Sequence, residues 1–167
     1  IDRYCDIILV GDSLGSVLYD YNTTRKVSLK TMIEHSKSVK KGVTNSLMVV
    51  DMPYNTYRNP KEALKNAKHI ISQTNCDAIK MEGGKKIANI VKYLTKNKIQ
   101  VMGHIGLLPQ TVRGKFTYKG KNKLERKKIL NDAKYLSSSG VFAIVLECVE
   151  KSLAKIITNL INVPTIG

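Results

Sequence analysis

The side chains best suited to chemistry in this chain stand where short apolar runs end. Gly11-Asp12-Ser13 closes the run Asp6–Val10, and Asp51 closes Leu47–Val50. Lys80 lies inside Ala78–Met81, which leads into Glu82-Gly83-Gly84. Gly103-His104 follows Gln100–Met102, and Glu147 follows Val141–Leu146. Three carboxylates, Asp12, Asp51 and Glu82, brought to one place would repel and raise one another's pKa. A divalent cation relieves that conflict. An all-oxygen ligand set without paired His or Cys selects a hard ion, Mg2+ or Mn2+, over zinc. Lys80 precedes Glu82 by two residues and so points to the same face of a strand. There it can pair with that acid, bind an anionic substrate, or do both, since a buried lysine needs a partner. Glu147 stands apart from the other acids in chain order and suits a general base.

Any one of these residues has a plain alternative. An acid after a strand often caps the next helix, and a single His is more often a satisfied core or loop residue than a catalytic one. The argument rests on succession. Five consecutive apolar runs each deliver an ionisable residue, in a chain whose polar residues are otherwise dominated by Lys.

What must position them are strands and helices in alternation. The apolar runs Asp6–Val10, Leu47–Val50, Ala78–Met81, Gln100–Met102, Val141–Leu146 and Val163–Ile166 are short, β-branched and without clean polar alternation, as strands covered on both faces are. Amphipathic helices lie between them. Pro60–Thr74 has Asn59 as N-cap, Pro60 at N1 and Glu62 at N3, with Ala63, Ala67, Ile70 and Ile71 on one face. Lys85–Lys96 groups Ile87, Val91 and Leu94; Leu124–Ser138 groups Ile129, Ala133 and Leu136 and stops at Gly140. Ser152–Leu160 groups Leu153, Ile156, Ile157 and Leu160, and Ser28–Lys41 groups Leu29, Met32, Ile33 and Val39. The alternation predicts right-handed βαβ units. An open doubly wound sheet and a barrel both accommodate it. In a barrel the strand ends would form one active-site rim.

Composition narrows the class. At 43% hydrophobic and 25% charged the chain reads as an ordinary soluble domain, with no apolar run long enough for a membrane helix and no signal peptide in Ile1–Val10. Cys5, Cys76 and Cys148 are odd in number and widely spaced, which points to a reducing compartment such as the cytoplasm. Lys plus Arg is 28 against 13 acids, a net charge of +15. That excess is Lys spread over every predicted helix, with five Arg, two Phe and no Trp, so it argues for compositional drift and against nucleic-acid reading.

The motifs themselves carry a resemblance. Gly11-Asp12-Ser13-Leu14-Gly15, Asp51-Met52-Pro53, Lys80-Met81-Glu82-Gly83-Gly84, Gly103-His104-Ile105-Gly106-Leu107 with Pro109-Gln110, Ile144-Val145-Leu146-Glu147-Cys148-Val149 and Val163-Pro164-Thr165-Ile166-Gly167 follow one another in order along the whole chain. Together they resemble the successive signatures of the ketopantoate hydroxymethyltransferase family. The resemblance implies a (β/α)8 TIM barrel of the phosphoenolpyruvate-mutase/isocitrate-lyase type. An intact barrel needs at least about 200 residues, so residues 1–167 are expected to form a single partial barrel domain of about six strands, lacking the first and last.

The resemblance further implies hydroxymethyl transfer from 5,10-methylenetetrahydrofolate to 3-methyl-2-oxobutanoate, giving 2-dehydropantoate for pantothenate and coenzyme A. It implies Mg2+ at Asp12, Asp51 and Glu82, keto-acid contacts from Ser13, Asp51, Lys80 and His104, Glu147 as base, and a homo-oligomer at full length. Leu108 stands where the family has Thr, and the loop Gly114–Lys121 reads as shortened, so folate handling is where this chain departs most. The alternatives are a related Mg-dependent lyase or mutase of another 2-oxo acid, which would carry a nucleophilic Cys after a strand, and an inactive basic fragment.

Overall fold

The computed structural model describes residues 1–112 and 116–167; the expected shortening of Gly114–Lys121 therefore falls partly outside the described residues. Six strands, β1 (Ile7–Val10), β2 (Leu47–Asp51), β3 (Ala78–Glu82), β4 (Val101–Gly106), β5 (Ala143–Glu147) and β6 (Thr165–Ile166), form one sheet in the order β1-β2-β3-β4-β5-β6. Every pairing is parallel. A doubly wound sheet would reverse its strand order at a switch point. Strictly sequential order is the arrangement of a barrel wall, and it decides between the two architectures that the alternation left open.

The helices are α1 (Leu14–Leu18), α2 (Leu29–Lys40), α3 (Pro60–Thr74), α4 (Ala88–Lys96), α5 (Lys123–Ser138) and α6 (Lys151–Leu160). Their starts follow capping chemistry. Asn59 Oδ1 accepts from the Glu62 N–H at 2.9 Å, Ser28 Oγ from Thr31 at 3.0 Å, and Asn122 Oδ1 from Glu125 at 2.9 Å. Glu150 caps α6, accepting from the N–H groups of Ser152 and Leu153. At the end of α5, Gly140 takes φ +89°, the left-handed conformation its position after a helix requires. The short helix α1 and the 3-10 turns Asp2–Tyr4 and Thr24–Lys26 carry no periodic signal and went unpredicted. Lys85–Lys96 divides into a 3-10 turn, Lys85–Ile87, and α4.

Two buried apolar layers sort the strand residues by parity. Val50, Ile79, Met81, Ile105, Ile144 and Leu146 pack with the helices, against Met32, Ala67, Ile70, Val91, Leu94, Leu136 and Ile157. Val49, Ala78, Met102 and Ala143 form a smaller cluster with Ile7, Phe142 and Val145, built from strand and strand-edge residues alone. This second cluster is the inner face of the wall. One step further along the strands on that face come Asp51, Lys80 and His104, as alternation requires. Ile156 and Leu160 correct the reading of α6: both are exposed, while Leu153 and Ile157 of the same helix are buried. Ile71, Leu29 and Val39 are only partly buried. Among the described residues no helix is long and apolar enough to cross a membrane.

Candidate functional site at the carboxyl ends of the strands

The parallel register carries the predicted residues to one rim. Asp51 is aligned with Lys80, Glu82 with His104, and Gly106 with Glu147. His104 lies within β4 and not after it, since the strand continues to Gly106 by pairing with Gly103↔Ile144, His104↔Val145 and Ile105↔Leu146. Asp12, on the turn after β1, donates its backbone N–H to Asp51 Oδ2 at 2.9 Å. The other Asp51 oxygen, Oδ1, lies 2.6 Å from Lys80 Nζ. Lys80 Nζ in turn lies 3.3 Å from His104 Nδ1, and His104 Nε2 lies 3.1 Å from Glu147 Oε2. A chain of polar contacts therefore crosses four strands, from Asp51 through Lys80 and His104 to Glu147.

Burial dictates the electrostatics. Asp12, Asp51, Lys80, Glu82 and His104 are all at most 5% exposed. Burial, followed by the repulsion of Asp51, pushes the Asp12 carboxyl up to about 6, although Gln110 and Lys80 pull it down. Burial likewise pushes Glu82 up to about 8, against the backbone N–H of Gln110 and the charge of Lys80. Burial works against the Lys80 ammonium, but Asp51 beside it outweighs that, and the net direction is up. Burial also lowers His104, which is thereby neutral at physiological pH. A neutral ring accepting from Lys80 at Nδ1 must carry its proton at Nε2, which lies 3.1 Å from Glu147 Oε2 without the alignment of a full hydrogen bond. The proximity of His104 is the main reason Glu147 lies below the ordinary carboxylate range.

Of the residues anticipated at the site, Ser13 is the outlier. It is exposed at the N-cap position of α1, and its side chain makes no capping bond. Helix capping does not account for Glu147, since Glu150 caps α6. Among the described residues no three His, Cys, Asp or Glu side chains converge closely enough to hold one ion as they stand. Residue-by-residue reading missed Tyr57 and Asp132. Tyr57 Oη donates to Gln110 Oε1, and Asp132 Oδ1 accepts from the Lys85 N–H at 2.8 Å beside the Glu82-Gly83-Gly84 turn. Nothing in the sequence marks Tyr57. Asp132 was detectable as an acid next to the buried face of its helix, adjoining Ala133.

The fold and rim define an α/β barrel-wall domain with a buried acid–lysine–histidine site at the carboxyl ends of its strands. The comparison with solved structures agrees on the fold. The chain aligns over 98% of its length, and 57% of the other chain, with 2,3-dimethylmalate lyase, a PEP mutase/isocitrate lyase superfamily member, at TM-score 0.72 and 10% identity. It aligns with oxaloacetate acetylhydrolase in complex with the product oxalate at TM-score 0.70 and 11% identity, covering 98% of this chain and 59% of the other. At that identity the likeness speaks for the fold alone.

Sequence decides the family. The profile described as Ketopantoate hydroxymethyltransferase matches residues 1–167, and the chain belongs to that family. It is 67% identical over 167 residues to the 3-methyl-2-oxobutanoate hydroxymethyltransferase of Pelagibacter ubique, covering 100% of this chain and 65% of the relative. It is 46% identical over 170 residues to the protein of the same name from Rhizobium etli, covering 100% of this chain and 62% of that one. The chain thus spans less than two thirds of the length of these relatives.

Proposed function

We propose that the full-length protein to which this chain belongs transfers a hydroxymethyl group from 5,10-methylenetetrahydrofolate to 3-methyl-2-oxobutanoate, in the cytoplasm and as a homo-oligomer. The observation that carries the reading is the continuous polar path Asp51–Lys80–His104–Glu147 beside Asp12 and Glu82 on one rim. Family membership supplies the substrates.

Asp12, Asp51 and Glu82 are the residues to hold Mg2+. Their donors are all oxygen, and the raised Asp12 and Glu82 carboxyls mark a site short of positive charge. Mg2+ keeps part of its water shell, so it does not require all three carboxylates to meet it directly. When bound, the cation supplies Lewis-acid polarisation of the oxo acid. Ser13, Asp51, Lys80 and His104 would bind that acid, with the Lys80 ammonium next to the negative charge that develops on enolisation. Glu147, ionised and oriented by His104 Nε2–H, would take the C3 proton. The enolate carbon would then attack the folate-borne methylene unit, whose two C–N bonds break to release tetrahydrofolate while water supplies the hydroxyl oxygen of the product.

Exposed Val17 and Leu18 on α1 are apolar side chains that a subunit contact would cover. The test is direct. The full-length protein with Mg2+ and 3-methyl-2-oxobutanoate in deuterated buffer, without folate, should exchange the C3 proton for deuterium by NMR. Turnover to 2-dehydropantoate should appear when 5,10-methylenetetrahydrofolate is added. A full-length protein that binds the oxo acid but leaves C3 unexchanged would overturn the assignment.

A further inference from the structure

Gln110 belongs to none of the roles above, yet it joins two of the three proposed metal carboxylates. Its backbone N–H donates to Glu82 Oε2 at 3.0 Å. Its side-chain Nε2 donates to Asp12 Oδ2 at 2.8 Å and to the Met52 carbonyl at 2.9 Å. Its Oε1 accepts from Tyr57 Oη. At 1% exposure it has no water to fall back on. The amide can face only one way. Reversed, it would set its oxygen against a carboxylate and a carbonyl, both acceptors. The loop is fixed from a second side by Arg25, whose Nε donates to the Gln110 carbonyl at 2.7 Å and whose guanidinium also reaches Thr111 O at 3.2 Å.

We infer that Gln110 is a positioning residue for the divalent-cation site, with Tyr57 locking its amide. The inference rests on the reading that Asp12 and Glu82 hold the cation. Its physical basis is the kind of donor used. A neutral N–H orients a buried carboxylate without cancelling its charge, whereas a lysine in the same place would compete with the cation. Gln110 occupies one oxygen of each acid. Among the described residues these bonds leave Asp12 Oδ1 and Glu82 Oε1 without a donor, His104 Nδ1 being 3.7 Å from the latter. One residue on the loop after β4 thereby sets the relative placement of acids that follow β1 and end β3.

The test uses the full-length protein and Mn2+, followed by electron paramagnetic resonance, as the probe. Wild type should bind, and Asp51→Ala should lose binding. Gln110→Met keeps the side-chain volume but removes all three side-chain hydrogen bonds; it should weaken Mn2+ affinity about 10–100-fold, the usual consequence of removing a partner behind a ligand. Tyr57→Phe should weaken it less. The double variant should bind no worse than Gln110→Met, because Tyr57 acts through Gln110. A Gln110→Met protein with lowered thermal stability but wild-type Mn2+ affinity overturns the inference and leaves the metal reading standing. Wild type that fails to bind Mn2+ overturns both. Should Gln110→Met not fold, Tyr57→Phe decides: reduced Mn2+ affinity supports the lock, and unchanged affinity refutes it.

Discussion

His104 Nε2 lies 3.1 Å from Glu147 Oε2, and this contact joins a ring buried to 1% exposure to a carboxylate that reaches the open rim. The ring's other nitrogen meets Lys80, so proton position at His104 is decided from both sides. Glu147 is therefore ionised, with Oε2 set beside the His104 ring and the carboxylate half-exposed at the rim. That is the arrangement of an oriented base.

Glu147→Gln in the full-length protein should keep oxo-acid and metal binding, because a glutamine carbonyl can still accept from His104 Nε2. It should reduce C3 proton exchange of 3-methyl-2-oxobutanoate by about 10²–10⁴-fold, the usual range for loss of a general base. Deuterium incorporation followed by NMR measures it. Exchange at the wild-type rate with a lower melting temperature would make Glu147 a structural partner of His104 only.

Lys80 and Asp51 form a pair 2.6 Å apart with both side chains 5% exposed. Lys80→Met strands the Asp51 charge in the interior. It should destabilise the protein by about 3–5 kcal/mol, the range for removing one partner of a buried pair. Adding Asp51→Leu to Lys80→Met should restore part of the loss, since no lone charge remains. Urea denaturation of the two single variants and the double gives the coupling, and additive losses would contradict a dominant pair.

The raised carboxyls make metal-free stability fall as pH rises. Glu82 moves from 4.5 unfolded to about 8 folded, and Asp12 from 3.8 to about 6. Each holds its proton more tightly in the folded state, so the contribution is complete below the unfolded values. It is lost progressively as pH climbs through about 6 for Asp12 and about 8 for Glu82. Melting temperature in chelator should decline from pH 5 to 9. Glu82→Gln should flatten the upper part of that decline. Mg2+ should restore stability most at the alkaline end, because binding displaces these protons. A profile rising between pH 6 and 9 in chelator would rule out protonated carboxyls.

Much of this was legible in the sequence because local chemistry and global fold agree. Asn59-Pro60 starts a helix by capping and proline geometry alone, and α3 begins there. Period-two alternation puts Lys80 with Glu82 and away from Ile79 and Met81, and the two faces separate in that way. Strand order was not legible, because spacing cannot tell a sequential sheet from one that reverses. The apolar run Gln100–Met102 leads into Gly103-His104, and its composition does not show that the strand goes on beyond them. Pairing with Ile144–Leu146 carries β4 through His104. Gln110 and Tyr57 meet across 53 residues of chain, a relation no local pattern encodes.

The tightest steric constraint near the rim is Gly84, and it gives the last prediction. A Cβ there would lie 2.0 Å from Asp132 Cγ and 2.2 Å from its Cβ, closer than any side chain tolerates. Asp132 cannot simply swing away. Its Oδ1 accepts from the Lys85 N–H at 2.8 Å and its Oδ2 lies 2.8 Å from Lys128 Nζ, so its rotamer is fixed from two directions. Gly84→Ala must therefore push α5 and the turn after β3 apart. It should cost at least about 1–3 kcal/mol, the range for overpacking a filled interior. Because Glu82 lies two residues before the displaced backbone, the same variant should weaken Mn2+ binding. Gly42→Ala is the control: its added Cβ meets only Val39 O, at 3.8 Å, and should be close to neutral. Chemical denaturation of both variants with Mn2+ titration separates the effects. A Gly84→Ala protein as stable as Gly42→Ala would mean that Asp132 is not locked, and that the β3 turn has room that the packing denies it.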